Sequence, residues 1–303
     1  MIMDNEMKGT LFALATALIS GFSIIVNKVF IASIDPTVFT AVRAFIIGIV
    51  FFVIALHRKD FQKRAGKINW FAMLMIGLIG GAVAFLLFFT GLGLTTGGRA
   101  AFLHKTLPLY ITLLAFLFLK EKITRKQLGA LALMFLGTVV IFSTKINPAE
   151  LWANPSLGDL LVISATFLWA IENIIARGVM LKKESNYIVT FSRMFFGSIF
   201  LFLAVFYFGK ANVLFMLTQE QIIKIIVSTL FLFGYVFCWY NSIKFINASK
   251  ASTLLLLAPV VSLILGITFL GEPAPAMQLF GSAMVLVGAY LVSHVKSELV
   301  SGV

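Results

Sequence analysis

RAAFLHKTLPLYITLLAFLFLKE, Arg99 to Glu121, decides the fold because the chain writes it twice: Lys250 to Glu272 reads KASTLLLLAPVVSLILGITFLGE. Each copy opens on a basic residue, sets a proline nine residues later (Pro108, Pro259) and closes on a glutamate thirteen residues beyond (Glu121, Glu272). Arg99 and Lys250 stand 151 residues apart in a chain of 303, so the chain reads as one half duplicated. The duplication extends outward from this stretch. Thr40-Ala-Val-Arg43-Ala-Phe45 returns as Thr190-Phe-Ser-Arg193-Met-Phe195, Gly9 and Lys28 match Gly158 and Arg177, and Gln127 and Gly137 match Gln278 and Gly288.

The chain is 60% hydrophobic and 12% charged, whereas a soluble domain carries about 25% charged residues. Almost every window outside the basic loops is apolar over the roughly 20 residues that span a bilayer as a helix. Long continuous runs of this kind exclude a transmembrane β-barrel, whose strands are short and alternating. The apolar run from Gly9 to Ile31 exceeds a signal-peptide core and is read as the first span. The single Cys238 allows no intramolecular disulfide. The net charge of +12 sits in short loops between apolar runs, which is the orientation signal of a membrane protein rather than a nucleic-acid surface.

The expected fold is an all-α membrane protein of ten transmembrane helices, at 8–31, 37–57, 69–94, 98–119, 125–144, 157–181, 187–208, 220–245, 248–270 and 275–295. Three basic loops (Arg58 to Lys67, Lys120 to Lys126, Lys182 and Lys183) fall on one side of that count, with both chain ends. Cytoplasmic N- and C-termini follow. Five helices per half is an odd number, so the halves, 8–144 and 157–295, enter the membrane from opposite sides. Inverted repeats of this kind place a solute site near the midplane and expose it alternately to each side.

The doubled basic–proline–glutamate stretch, the doubled Thr-x-x-Arg-x-Phe and the glycines of the fifth and tenth helices resemble paired EamA domains of the drug/metabolite transporter superfamily. The resemblance covers nearly the whole chain. It implies a multi-pass carrier in the plasma or inner membrane, similar to aromatic amino-acid exporters, and is specific for the superfamily but poor for substrate.

A charge at the bilayer centre costs about 2.5 kcal/mol or more, so each intramembrane polar group needs a partner or a cavity. Glu172 is the one acidic residue well inside a helix, and Trp169 and Asn173 share its face. In helix 1, Ser20, Ser23, Asn27 and the neighbouring Lys28 occupy the matching polar face. Glu172 reads either as cavity-lining, with a proton or an ammonium group as its ligand, or as half of an ion pair with Arg177, Lys105 or another helix's basic residue. His104 and Lys105 precede Pro108, and their repeat counterparts Leu255 and Leu256 are apolar. That asymmetry makes Lys105 the candidate for a substrate's anionic group and His104 a weaker one. Tyr110, Tyr235 and Trp239 are candidate aromatic walls. Arg43 and Arg193 recur in both halves and, with Asn27, Lys28, Arg177, Pro108 and Pro259, are assigned to packing or gating.

There is no phosphate-binding glycine loop with its lysine, no HExxH and no cysteine–histidine cluster. No cofactor, metal or catalytic residue is expected. The reading is a secondary active transporter that exports small metabolites, amino acids (aromatic or hydrophobic) first, by alternating access. A carrier or exchanger of anionic or phosphorylated metabolites is the alternative, favoured if Lys105, Arg43 and Arg177 converge. A lipid-modifying enzyme, a scramblase or a passive channel ranks below both. The expected partners are the solute, the lipid bilayer and protons, with no nucleic acid, in a monomer or homodimer.

Overall fold

The computed structural model describes residues 4–30, 34–64, 66–273 and 275–297, without the side chains of residues 24, 25, 27–30, 148 and 152. Helices dominate and no strand occurs among the described residues. The long ones are α1 (Asn5–Phe30), α2 (Pro36–His57), α3 (Trp70–Leu94), α4 (Gly97–Leu119), α5 (Arg125–Ser143), α6 (Leu157–Leu181), α7 (Asn186–Tyr207), α8 (Gln219–Phe245), α9 (Ala248–Leu270) and α10 (Ala276–Ser293). Among the described residues, α2 to α10 are each long and apolar enough to cross a membrane. Short helices at Asp60–Lys63, Pro148–Ala153 and Ala211–Phe215 lie in the connections, which the sequence reading left as plain loops.

The helix starts are written locally. Thr124 and Ser156 accept the backbone N–H three residues on, at Gln127 and Asp159, and Thr218 does so from Gln221. Asp159 and Gln221 bond back to the cap residue's own N–H, which closes capping boxes at α6 and α8. Inside hydrocarbon no water can satisfy a helix end, so such caps set where each span begins.

Packing repeats the duplication with inverted sense. The counterparts α2 and α7 pack on each other, as do α5 and α10, while α1 packs on α8 and α9 as α6 packs on α3 and α4. The α2–α7 pair is antiparallel: Phe45 meets Phe202 at 5.8 Å between ring centroids, and Phe52 meets Phe191 at 5.3 Å. Small residues let these helices close. A Cβ on Gly137 would lie 2.7 Å from the Gly281 carbonyl oxygen, and one on Gly281 would lie 2.6 Å from that of Gly137. The backbones of α5 and α10 therefore touch, the contact that drives helix association where lipid supplies no hydrophobic force. Gly81 of the Gly77/Gly81 pair serves α3 the same way, against Gly197 and the Arg193 carbonyl.

Each half also ends its fourth helix alike. Lys120 and Gly271 adopt left-handed backbone, φ 54° and 64°, and each is followed by the glutamate of the repeated stretch. Glu121 reaches across to the other half. Its carboxylate accepts from Ala248 N (2.8 Å), Ser249 N (3.1 Å) and Ser249 Oγ (2.6 Å), the first turn of α9. A carboxylate suits the positive end of a helix dipole, so one half caps the other.

Candidate functional site

The two prolines make the site. Pro108 has no N–H to give and its ring collides with the carbonyl four residues back, so α4 cannot run straight through it. The chain turns at Lys105 and Thr106, between Gly97–His104 and Leu107–Leu119. There Lys105 N donates to Phe102 O at 2.8 Å and Thr106 N to Leu103 O at 3.1 Å. In α9 the chain tightens to a 3-10 turn at Leu255–Leu257 ahead of Pro259. Both breaks face one small cavity, lined by His104, Lys105, Leu107 and Pro108 from α4, Leu255 and Leu256 from α9, Ser20 from α1 and Tyr235 from α8. Its volume is about 20 Å³, room for about one water, so a solute enters only if the helices part.

Lys105 is 8% exposed and, among the described residues, its amine makes no ion pair or hydrogen bond. A buried ammonium with no anion is expensive, and a helix break at membrane depth is tolerated where it lines a cavity or is buried in protein. His104 stacks edge-on to Trp169 at 5.1 Å and to Phe88 at 5.8 Å between centroids, which gives the cavity an aromatic flank. Trp169 also meets Phe85 at 5.2 Å. Tyr110 does not line this cavity and packs edge-on against Phe167 at 5.5 Å.

Beside the cavity lies a polar network across α6, α7 and α8. Glu172, fully buried, has Oε2 at 3.5 Å from Arg193 Nη1. Tyr240 Oη donates to Glu172 Oε1 at 2.6 Å, and Arg193 Nη1 donates to Tyr240 Oη at 3.2 Å. Trp239 Nε1 donates to Asn173 Oδ1 at 2.6 Å, and Asn173 Nδ2 returns to the Trp169 carbonyl at 2.8 Å. Trp169 Nε1 in turn donates to the Gly80 carbonyl at 3.0 Å. Gly80 belongs to a π-helical turn in α3, Ile79–Val83, a bulge that often marks functional sites. The side chain of Glu172 fills the space a Cβ at Gly80 would need, so that glycine is what admits the carboxylate.

Of the expected partners for Glu172, the structure supplies neither Arg177 nor Lys105 but a basic residue of another helix, Arg193. Arg177 is turned away: its Nη1 donates to the carbonyls of Ile243 (2.6 Å) and Lys244 (3.0 Å) at the end of α8, with Glu121 4.0 Å from its Nε. Arg43, the repeat counterpart of Arg193, lies over the Phe39 ring at 4.4 Å and makes no ion pair among the described residues. Lys105, Arg43 and Arg177 thus do not converge. The side chains of Asn27 and Lys28 lie outside the described residues. The sequence reading missed Tyr240, hidden among neighbouring aromatics, and the Gly80 turn; the recurrence of Arg193 in both halves was the one available signal of its importance.

A polytopic bundle of two inverted halves, with broken helices meeting at a shared cavity, is the build of a membrane transporter. The EamA-like transporter family matches residues 7–143 and 156–294, and the chain belongs to that family. It is a multi-pass protein of the cell membrane. It is similar to an uncharacterized transporter of Methanothermobacter thermautotrophicus (24% identical, covering 93% of this chain and 85% of the relative). It is also similar to the uncharacterized transporter YyaM of Bacillus subtilis (25%, covering 91% and 92%). A probable amino-acid metabolite efflux pump of Salmonella typhimurium is 25% identical, over 94% of each chain. A solved crystal structure shares the fold at TM-score 0.77 and 17% identity, covering 94% of this chain and 96% of the other.

Proposed function

We propose that this protein is a secondary carrier that moves small carboxylate-bearing metabolites, amino acids first, out of the cell by alternating access between its two halves. The observation that carries the reading is the buried Lys105 amine, without a protein anion, at a helix break on the central cavity. An ammonium held there attracts a substrate carboxylate. Trp169, His104 and Tyr235 offer the solute an aromatic surface, and Ser20 offers a hydroxyl. At about 20 Å³ the cavity is too small for a solute in this state, so passage requires the α4 and α9 breaks to separate on one face and then on the other. In this reading α1 is the tenth span, and the basic loops and both termini face the cytoplasm.

Glu172 is already engaged, so an ammonium group or a proton there has to compete with Arg193 and Tyr240. The amino-acid reading is preferred over phosphorylated metabolites because Arg177 and Arg43 have other partners than the cavity. The relative named as a probable amino-acid metabolite efflux pump points the same way. Uptake of radiolabelled amino acids into proteoliposomes, with and without a pH gradient, tests substrate and coupling together. Gradient-dependent uptake that Glu172→Gln abolishes supports a proton role for that carboxylate. No amino-acid movement at any pH overturns the substrate class.

A further inference from the structure

The three basic loops do more than mark one membrane face: they converge. Arg64 and Lys67 from the α2–α3 connection, Lys120 from the end of α4 and Lys182 from the end of α6 border one open groove of about 480 Å³. Its single carboxylate, Glu184, is spent on Arg64, whose Nε lies 3.6 Å away. Arg64 is further fixed by donating from Nη2 to the Lys182 carbonyl at 3.3 Å. Lys67, Lys120 and Lys182 are exposed and make no ion pair among the described residues. The other wall is apolar and belongs to membrane spans: Phe118, 70% exposed, on α4, with Ile175 and Val179 on α6.

We propose that this groove is a binding site for an anionic phospholipid of the surrounding membrane, its phosphate against the three lysines and an acyl chain along Phe118, Ile175 and Val179. Charge complementarity selects the headgroup, because three uncompensated cations face a ligand space with no free carboxylate. The apolar wall selects a lipid over a soluble phosphate, because it continues into the part of α4 and α6 that hydrocarbon covers. None of the cavity residues Ser20, His104, Lys105 or Tyr235 borders the groove, so the proposal stands apart from the substrate reading. Basic pockets between spanning helices are suited to acidic lipid headgroups, with each near-surface lysine strengthening binding roughly fivefold.

The test is native mass spectrometry of the delipidated full-length protein in detergent, titrated with phosphatidylglycerol or with phosphatidylcholine. Wild type is expected to retain phosphatidylglycerol at least about fivefold better than phosphatidylcholine. Lys67→Gln/Lys120→Gln/Lys182→Gln should remove that preference. A control of equal charge loss on the same face, Arg125→Gln/Lys126→Gln/Lys296→Gln, should keep it. All six side chains are exposed, and an unchanged melting temperature in each variant separates lipid loss from misfolding. No preference in wild type, or an equal loss in both variants, overturns the site. Displacement of the lipid by soluble glycerophosphoglycerol at matching concentration overturns the acyl-chain half and leaves an anion patch in its place.

Discussion

Glu172 of α6 and Arg193 of α7 face each other at 3.5 Å in the buried centre of the bundle, with the Tyr240 hydroxyl of α8 joined to both. Only the second half carries the arrangement: in the first, Arg43 has the matching place on α2, but Ser23 stands where Glu172 would be. The paired half ties three helices together, and the unpaired half leaves its arginine on an aromatic ring. The two like halves thus differ here: the second holds a clasp where the first does not.

Arg193→Gln or Glu172→Gln alone should destabilise the protein by about 3–5 kcal/mol, since each leaves the other group buried without its partner. The double variant should recover much of that loss. Thermal melts in detergent of the two singles and the double form a mutant cycle; additive effects would show that the two groups are not coupled.

Lys105 behaves in the opposite way. With no protein anion to lose, Lys105→Met should leave the melting temperature unchanged or raise it, because a buried ammonium is exchanged for an apolar chain of similar length. Transport should fall at least about tenfold, the loss expected when a charge-assisted bond worth about 1.5 kcal/mol or more is removed. A large drop in melting temperature would mean that Lys105 has a structural partner.

Glu121→Ala removes three hydrogen bonds to the first turn of α9 and the anion 4.0 Å from Arg177. Leaving buried backbone donors unmet costs about 1–3 kcal/mol each at most. The loss should appear as early hydrogen exchange in Ala248 to Ser252, ahead of the rest of α9. Protection there equal to wild type would contradict the cross-half cap.

Asp35, just outside α2, supplies the pH-dependent contribution. Burial raises its pKa, but the Lys210 amine at 2.7 Å and the N–H groups of Val38 and Thr37 outweigh burial and hold it below the usual carboxylate value of 3.8. A carboxylate lowered in the folded state stabilises at pH above its unfolded pKa, and the effect is lost as pH falls through the folded one. The pair is partly exposed, so about 1 kcal/mol or less is expected. The melting-temperature gap between wild type and Asp35→Asn should be constant near neutrality and close below about pH 4. A gap that persists at acid pH would assign the effect to the cap geometry alone.

The sequence carried the fold far. The all-helical membrane fold and its duplication were legible because membrane spans announce themselves by length, and a repeat of a whole half cannot hide. The prolines stood out as packing or gating residues, while the breaks beside them at Lys105–Thr106 and Leu255–Leu257 came only with the structure; the mismatch of Lys105 with Leu256 announced the asymmetric charge. Pairing was not legible. Glu172 had several arginines within plausible reach, and only the packing of α3 against both α6 and α7, Gly80 against Glu172 and Gly81 against Gly197, decides for Arg193. The π-helical turn at Gly80 was equally silent, since one inserted residue leaves no trace in hydropathy. The groove of Lys67, Lys120 and Lys182 joins three loops distant in sequence, each of which alone looks like an orientation signal.

The central claim is a carrier whose solute docks on Lys105. Radiolabelled amino-acid counterflow in proteoliposomes, wild type beside Lys105→Met, tests it most directly. The account predicts saturable overshoot for wild type, driven by excess unlabelled amino acid inside, and its loss in a variant that melts at the same temperature. Undiminished counterflow by Lys105→Met would contradict it.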